Sequence, residues 1–329
     1  MVARKSRRLP YTYRVGLTVE SPKYRRRVRC DIAQLEGRGG DAESVMRLRS
    51  IMGLSNTASD AFMIEQLPAA DGQILFVNRW VVRNPADVVI YVNGLESHGG
   101  WFTEVARALA QNGIAVYAMD RRGSGLNTRI SGRWRDWVDD LGMVIERIRR
   151  ACPRAKVHVA SLCFGAAVAT AFVKQRPRDA HSLIFMSPGL HVKVQPRAGE
   201  MVRIGLGHLP GLACNIPSPI RSDDMFTDSG EALWFLWRDK LRTVGPRAED
   251  FLEAQRILRY VLHHLHEVSI PSAAFLAGKD QVVDNAPTRQ ALLQFSRKPY
   301  IVEYPDSEHI IFFGSTKDRL ITDMLNLIA

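Results

Sequence analysis

Residues 158–167 read His-Val-Ala-Ser-Leu-Cys-Phe-Gly-Ala-Ala. A short apolar run ends there on Cys163, with a small residue two positions to either side, Ser161 and Gly165. A nucleophile carried on a tight strand-to-helix turn sits in strained backbone, and side chains two positions before and after it collide unless they are small. Cys163 meets that condition, and Ala166 and Ala167 let a following helix pack closely. Ser161, the other candidate, would be flanked by Val159 and Cys163, and valine is too bulky. The spacing therefore selects the cysteine. A thiol presented this way does acyl chemistry: its thiolate attacks a carbonyl and holds the acyl group as a thioester. Thiols at helix N-termini beside a histidine ionise more readily than a free thiol, whose pKa is about 8.5. Thioesters react with amines and thiols more readily, relative to water, than oxygen esters do. Such a site favours acyl transfer without excluding hydrolysis.

The elements that must carry this turn are legible on both sides of it. Short apolar runs at 87–92, 114–119, 156–160, 181–187, 272–278 and 300–305 predict strands, and helical periodicity fills most of the intervals between them. Trp134, Val138, Leu141, Ile145 and Ile148, for example, share one helix face. Strands alternating with helices give the α/β class, here a mostly parallel central sheet with helices on both faces. Two earlier strands, joined through Ala70-Asp71-Gly72, add a hairpin at one edge. The interval 190–268 breaks the alternation. It holds an amphipathic helix with Phe251, Leu258, Val261, Leu262 and Leu265 on one side, and reads as a helical lid over the carboxyl ends of the strands. The expected organisation is a basic extension and linker (1–58), a first core part (59–189), the lid (190–268) and a second core part (269–329).

The net charge of +11 is concentrated in the extension, where residues 1–30 carry ten Arg or Lys and one acid, Glu20. The body is close to neutral, so nucleic acid is a poor candidate partner. The arm alternates apolar and polar residues from Tyr11 to Val19, a pattern for a short hairpin turning at Ser21-Pro22-Lys23. It could dock an acidic carrier protein or an anionic membrane surface, or be a solvated extension. No run approaches the roughly 18–20 apolar residues that span a bilayer. The four cysteines, Cys30, Cys152, Cys163 and Cys214, are too far apart for a CxxC zinc site or a disulfide scaffold. They fit a reducing, cytoplasmic setting, with peripheral membrane contact as the variant. Phosphate loops and dinucleotide fingerprints are lacking, so no cofactor is expected. No metal is expected either, since His263 and His264 are adjacent helical residues that do not face each other.

Residues 89–127 carry an ordered set of motifs: a strand ending in Asn93-Gly94, the segment Glu96-Ser97-His98 followed by aromatic residues, and a strand ending in Asp120-x-x-Gly123-x-Gly125. Together with the elbow they resemble the monoacylglycerol lipase and lysophospholipase branch of the α/β-hydrolase fold, over about residues 60–329. Two positions depart from that pattern. The usual Gly-x-Ser-x-Gly elbow is Ser-x-Cys-x-Gly, and the histidine of the His-Gly turn is Asn93. The resemblance implies a triad in the order nucleophile, acid, histidine. The acid falls just past the strand at 272–278, at Asp280, with Asp284 as second choice. The histidine falls after the last strand, at His309. The family's oxyanion hole would use the N–H groups of Phe164 and Leu95, or of Gly94 in place of Leu95. His98, Trp101 and Phe102 would line the substrate entrance, and Asp120 and Gly123 would be structural.

In the lid, Ile204, Leu206, Leu209, Leu212, Ile216 and Ile220, with Trp234, Phe235 and Trp237, suit either an acyl-chain tunnel or a small lid core. Three functions remain open on the sequence. The first is a cofactor-independent acyl hydrolase or acyltransferase (esterase, lysophospholipase or thioesterase type) acting on a lipophilic ester or thioester. The second is a thioesterase-like partner of a carrier-protein pathway, and the third a non-catalytic binding protein of the same fold.

Overall fold

A computed structural model describes residues 62–127, 130–206 and 214–328. The whole basic arm and linker (1–58), Leu209 and Leu212 lie outside the described residues. Eight strands form one sheet: β1 (Phe62–Pro68), β2 (Ile74–Trp80), β3 (Asp87–Val92), β4 (Ala115–Met119), β5 (Lys156–Leu162), β6 (Ser182–Met186), β7 (Ser272–Ala277) and β8 (Tyr300–Tyr304). Their spatial order is β1-β2-β4-β3-β5-β6-β7-β8. The β1–β2 and β2–β4 pairs are antiparallel, and β3 to β8 run parallel. The mostly parallel α/β sheet and its edge hairpin are thus as the alternation of apolar runs indicated.

The inner strands β3, β4, β6 and β7 are almost wholly apolar because both their faces are covered. Along β3, Val88, Ile90 and Val92 enter one core cluster while Val89 and Tyr91 enter the other, the period-two alternation of a strand. Helices α1 (Thr103–Gln111) and α8 (Lys317–Ile328) cover one face through Val105, Leu109, Leu320 and Met324. Helices α2 (Trp134–Ala151) and α3 (Gly165–Gln175) cover the other, α3 with its alanines fully buried.

Between β6 and β7 the chain adds α4 (Ala198–Leu206), α5 (Gly230–Arg238) and α6 (Ala248–His263). Ala254, Ile257 and Val261 of α6 join the core cluster that holds α2 and α3, so that helix also serves the covering layer. Phe226 and Leu236 pack from above into the cluster of the opposite face. Among the described residues no helix is long and apolar enough to cross a membrane.

Because β3 to β8 are parallel, the turns after them gather at one edge of the sheet. Gly94, Asp120, Cys163, Ser187, Asp280 and His309 each follow the carboxyl end of a different strand. This is where open α/β sheets place their ligands.

Candidate active site

Cys163 follows β5 directly and adopts φ of +50°, the left-handed region that a residue with a side chain rarely enters. The surroundings over-determine this strained turn. The Cys163 N–H donates to the Met186 carbonyl (3.1 Å), and its own carbonyl accepts from Ala166 (3.0 Å) and Gly189 (2.9 Å). A Cβ at Gly165 would run into the carbonyls of Val92 and Asn93, which explains why only a glycine fits two residues past the cysteine. Ser161, by contrast, is completely buried within β5, and its hydroxyl has no partner among the described residues. The serine faces the interior and the cysteine a cleft.

His309 stands beside Cys163 on the long turn after β8. Its Nδ1 lies 2.8 Å from Asp280 Oδ2, and His309 and Cys163 line the same cleft. The second carboxylate oxygen, Asp280 Oδ1, accepts from the N–H groups of Val282 and Val283, both at 2.8 Å. Burial would push the imidazole down, but the Asp280 carboxylate and then the Cys163 sulfur outweigh it and raise its pKa to about 10. Asp284 is elsewhere, capping helix α7 (Asn285–Leu292) by accepting from Ala286. Ser187, with φ of +43°, donates its hydroxyl to the His309 carbonyl at 2.6 Å and so pins the histidine's backbone.

Among the described hydrogen bonds the N–H groups of Leu95 and Phe164 have no acceptor, whereas that of Gly94 donates to Ser97 Oγ at 2.8 Å. This leaves the first two available to a ligand oxygen. Asn93, the departure from the family pattern, holds the loop in place of the histidine. Its amide donates to the carbonyl of Gly94 (2.9 Å) and to Ser124 Oγ (3.1 Å), and its oxygen accepts from Arg121 N–H (3.1 Å). Asp120 is structural, accepting from Gly99 (2.7 Å) and Leu126 (2.8 Å).

A narrow cleft, partly open to solvent, lies over Cys163. Leu95, Trp101, Leu162, Ile220, Phe226 and Ile310 make its walls apolar, and Glu96 and Ser97 add a polar corner beside Cys163 and His309. Of the three residues expected at the substrate entrance, only Trp101 lines it. His98 is turned away: its Nε2 pairs with Asp239 at 2.9 Å, and Trp101 Nε1 donates to the same carboxylate at 2.6 Å. Phe102 lies in the core, stacked on Tyr91 with ring centroids 4.1 Å apart. The physical reason is the 3-10 turn Gly99–Phe102, which directs successive side chains to different sides. Of the lid residues proposed for a tunnel, Ile220 reaches the cleft. Ile204 and Ile216 pack with Ala248 and Phe251 in a small separate core, and Leu206, Trp234 and Trp237 are exposed.

Two contacts at the site have no sequence motif. Arg121 is buried, donates to the carbonyls of Leu95 (3.2 Å) and Arg122 (2.7 Å), and stacks over Phe164 and Trp137. Burial lowers its guanidinium to about 10. Glu96 is held by Arg242 of the lid segment, at 2.8 and 3.2 Å. Its partner lies 146 residues away in sequence.

A family model described as serine aminopeptidase, S33, matches residues 83–315. Human monoglyceride lipase is 26% identical over 129 residues, 38% of this chain and 43% of that enzyme. Among solved structures, a soluble variant of the Saccharomyces cerevisiae monoglyceride lipase superposes with a TM-score of 0.71 at 14% identity, covering 83% of this chain and 96% of that one. The Paleococcus ferrophilus monoacylglycerol lipase gives 0.67 at 16% identity, covering 77% and 98%.

Proposed function

The chain belongs to the serine aminopeptidase S33 family, as an α/β-hydrolase-fold enzyme of the esterase and lipase type, and from that premise we propose that it works through Cys163, His309 and Asp280 on a lipophilic acyl ester or thioester, without a cofactor. The observation that carries this reading is the sulfur at a left-handed turn, met by an imidazole that a buried carboxylate holds in place. The imidazolium that the Asp280 carboxylate sustains is the counter-ion a sulfur nucleophile calls for. The thiolate adds to the acyl carbonyl, and the developing oxyanion takes hydrogen bonds from the N–H groups of Leu95 and Phe164. His309 then gives its proton to the departing group, leaving a thioester on Cys163. Water or another acceptor attacks that thioester, with His309 taking the acceptor's proton. The apolar walls suit the acyl group.

The test is intact-mass detection of an acyl adduct after mixing the protein with S-butyryl-N-acetylcysteamine, followed by peptide mapping. An adduct on Cys163, lost in Cys163→Ala and retained in Ser161→Ala, is expected. An adduct on Ser161, or none on any residue, would overturn the assignment.

A further inference from the structure

The polar corner of the cleft has no part in the triad chemistry, yet it shares the cleft with Cys163 and His309. Glu96 lines the cleft beside Cys163 and His309 and is only 3% exposed. Its Oε2 is filled by the two nitrogens of Arg242, while Oε1 accepts from the Ser218 hydroxyl alone. A carboxylate oxygen has two acceptor positions, so one on Oε1 is unfilled among the described residues. Arg242 also pairs with Asp223 at 2.5 Å. One guanidinium therefore serves two carboxylates; with Glu96 ionised and His309 neutral, as it is once it has protonated the departing group, Glu96, Asp223, Arg242 and His309 sum to one negative charge. In a wall otherwise made of Leu95, Trp101, Leu162 and Ile220, that corner attracts a cation or a strong hydrogen-bond donor.

We propose that Glu96 binds the acceptor of the acyl group, that the acceptor is a primary amine, and that the enzyme forms an amide from the Cys163 thioester. The inference rests on the thioester reading above and names its acceptor. It also supplies a reason for sulfur at the elbow, because thioesters favour amine attack over hydrolysis more than oxygen esters do.

The step balances as follows. An alkylammonium docked on Glu96 gives one proton to the carboxylate, and the freed nitrogen lone pair attacks the thioester carbonyl. The C–N bond forms, the C–S bond breaks, and the electron pair leaves with Sγ. A second nitrogen proton passes through His309 to the sulfur. Amide and free thiol result, and Glu96 releases its proton to water. Burial, opposed by Arg242, brings the Glu96 carboxyl up to about 7, which suits it to exchange a proton near neutrality.

The experiment starts from the acyl-enzyme made with S-butyryl-N-acetylcysteamine and adds ethylamine or ethanol at equal concentration in water. Mass spectrometry then gives the ratio of N-ethylbutanamide to ethyl butanoate and butanoate. The wild-type ratio is expected to exceed that of the same thioester reacting without enzyme by tenfold or more. Glu96→Gln, which keeps the shape and one acceptor but loses the charge, should lower it by about tenfold to a hundredfold, the range of a charge-assisted hydrogen bond. Glu96→Asp should recover part of the loss. Starting from a preformed adduct removes any effect of the substitutions on acylation. A wild-type ratio no higher than in solution would overturn the proposal without needing a folded variant, as would an unchanged ratio in a folded Glu96→Gln. Failure to form the adduct at all would overturn the thioester reading instead.

Discussion

Replacing Asp280 by asparagine tests how the histidine is held, because the carboxylate's two oxygens do different jobs. Oδ1 accepts from Val282 and Val283, and Oδ2 faces His309 Nδ1. An asparagine that keeps its oxygen on the two N–H groups must turn its NH2 towards His309. Nδ1 then has to accept, the ring proton moves to Nε2, and the edge facing the sulfur can no longer take a proton. Flipping the amide restores the ring but sets NH2 against two buried donors. That loses two hydrogen bonds of about 1 kcal/mol each and leaves donors unpaired, so the wrong orientation is favoured by about 2–4 kcal/mol, or roughly 30- to 700-fold. Serine triads lose about 10,000-fold on this change. Thiols are intrinsically more nucleophilic than hydroxyls and lean less on a general base, so the expected loss here is smaller, about 100- to 1,000-fold in acylation. The variant also removes the largest influence holding the imidazole pKa up, so burial prevails and the ring becomes neutral at pH 7. Stopped-flow acylation by p-nitrophenyl butyrate measures the rate. The pH dependence of iodoacetamide alkylation of Cys163 reports the lost imidazolium, and a urea midpoint confirms folding. A folded Asp280→Asn that acylates within threefold of wild type would refute the relay.

The raised pKa of His309, from 6.5 to about 10, also stabilises the fold. The contribution is complete below pH 6.5 and disappears as pH rises through about 10. Urea midpoints between pH 6 and 10 should therefore fall more steeply for wild type than for His309→Gln. Gly165→Ala forces a Cβ against two backbone carbonyls and should destabilise by about 1–3 kcal/mol or more, read by urea unfolding. Arg121→Met takes away the donor that fixes the Leu95 carbonyl. Because misplacement by about 1 Å can slow a reaction 100-fold, acylation should fall at least tenfold by the same p-nitrophenyl ester assay.

How much of this was legible in the sequence differs between elements. Strands buried on both faces write themselves as unbroken apolar runs, and β3, β4 and β7 were visible for that reason. The elbow was legible because a steric rule acts between near neighbours: small residues at 161 and 165 with valine at 159 single out position 163. Asp280 and His309 stood where the chain order of the resembled family puts them. The contacts that shape the cleft left no such trace. Arg242 reaches Glu96 across 146 residues, and Ser187 reaches the His309 carbonyl across 122. Neither pairing has a local period or spacing. His98 and Phe102 looked like entrance residues because a linear segment does not reveal which way a 3-10 turn aims its side chains.

The same long-range contacts tie the lid to the chemistry. Asp239 holds His98 and Trp101, Arg242 holds Glu96, and the Thr243 N–H donates to the Glu96 carbonyl at 3.0 Å. Residues 239–243 are thereby fastened to the loop that carries the free Leu95 N–H. Removing one partner of a buried ion pair strands the other charge, so this part of the lid cannot lift without disturbing the oxyanion donors. Phe226 is tied in as well, its ring edge-on to Trp101 and beneath the Arg242 guanidinium, whereas the Ile220 side chain lines the cleft by apolar contact alone. A longer acyl chain would therefore be admitted by displacing the Ile220 side chain, with Phe226 and residues 239–243 staying in place to keep the hole assembled.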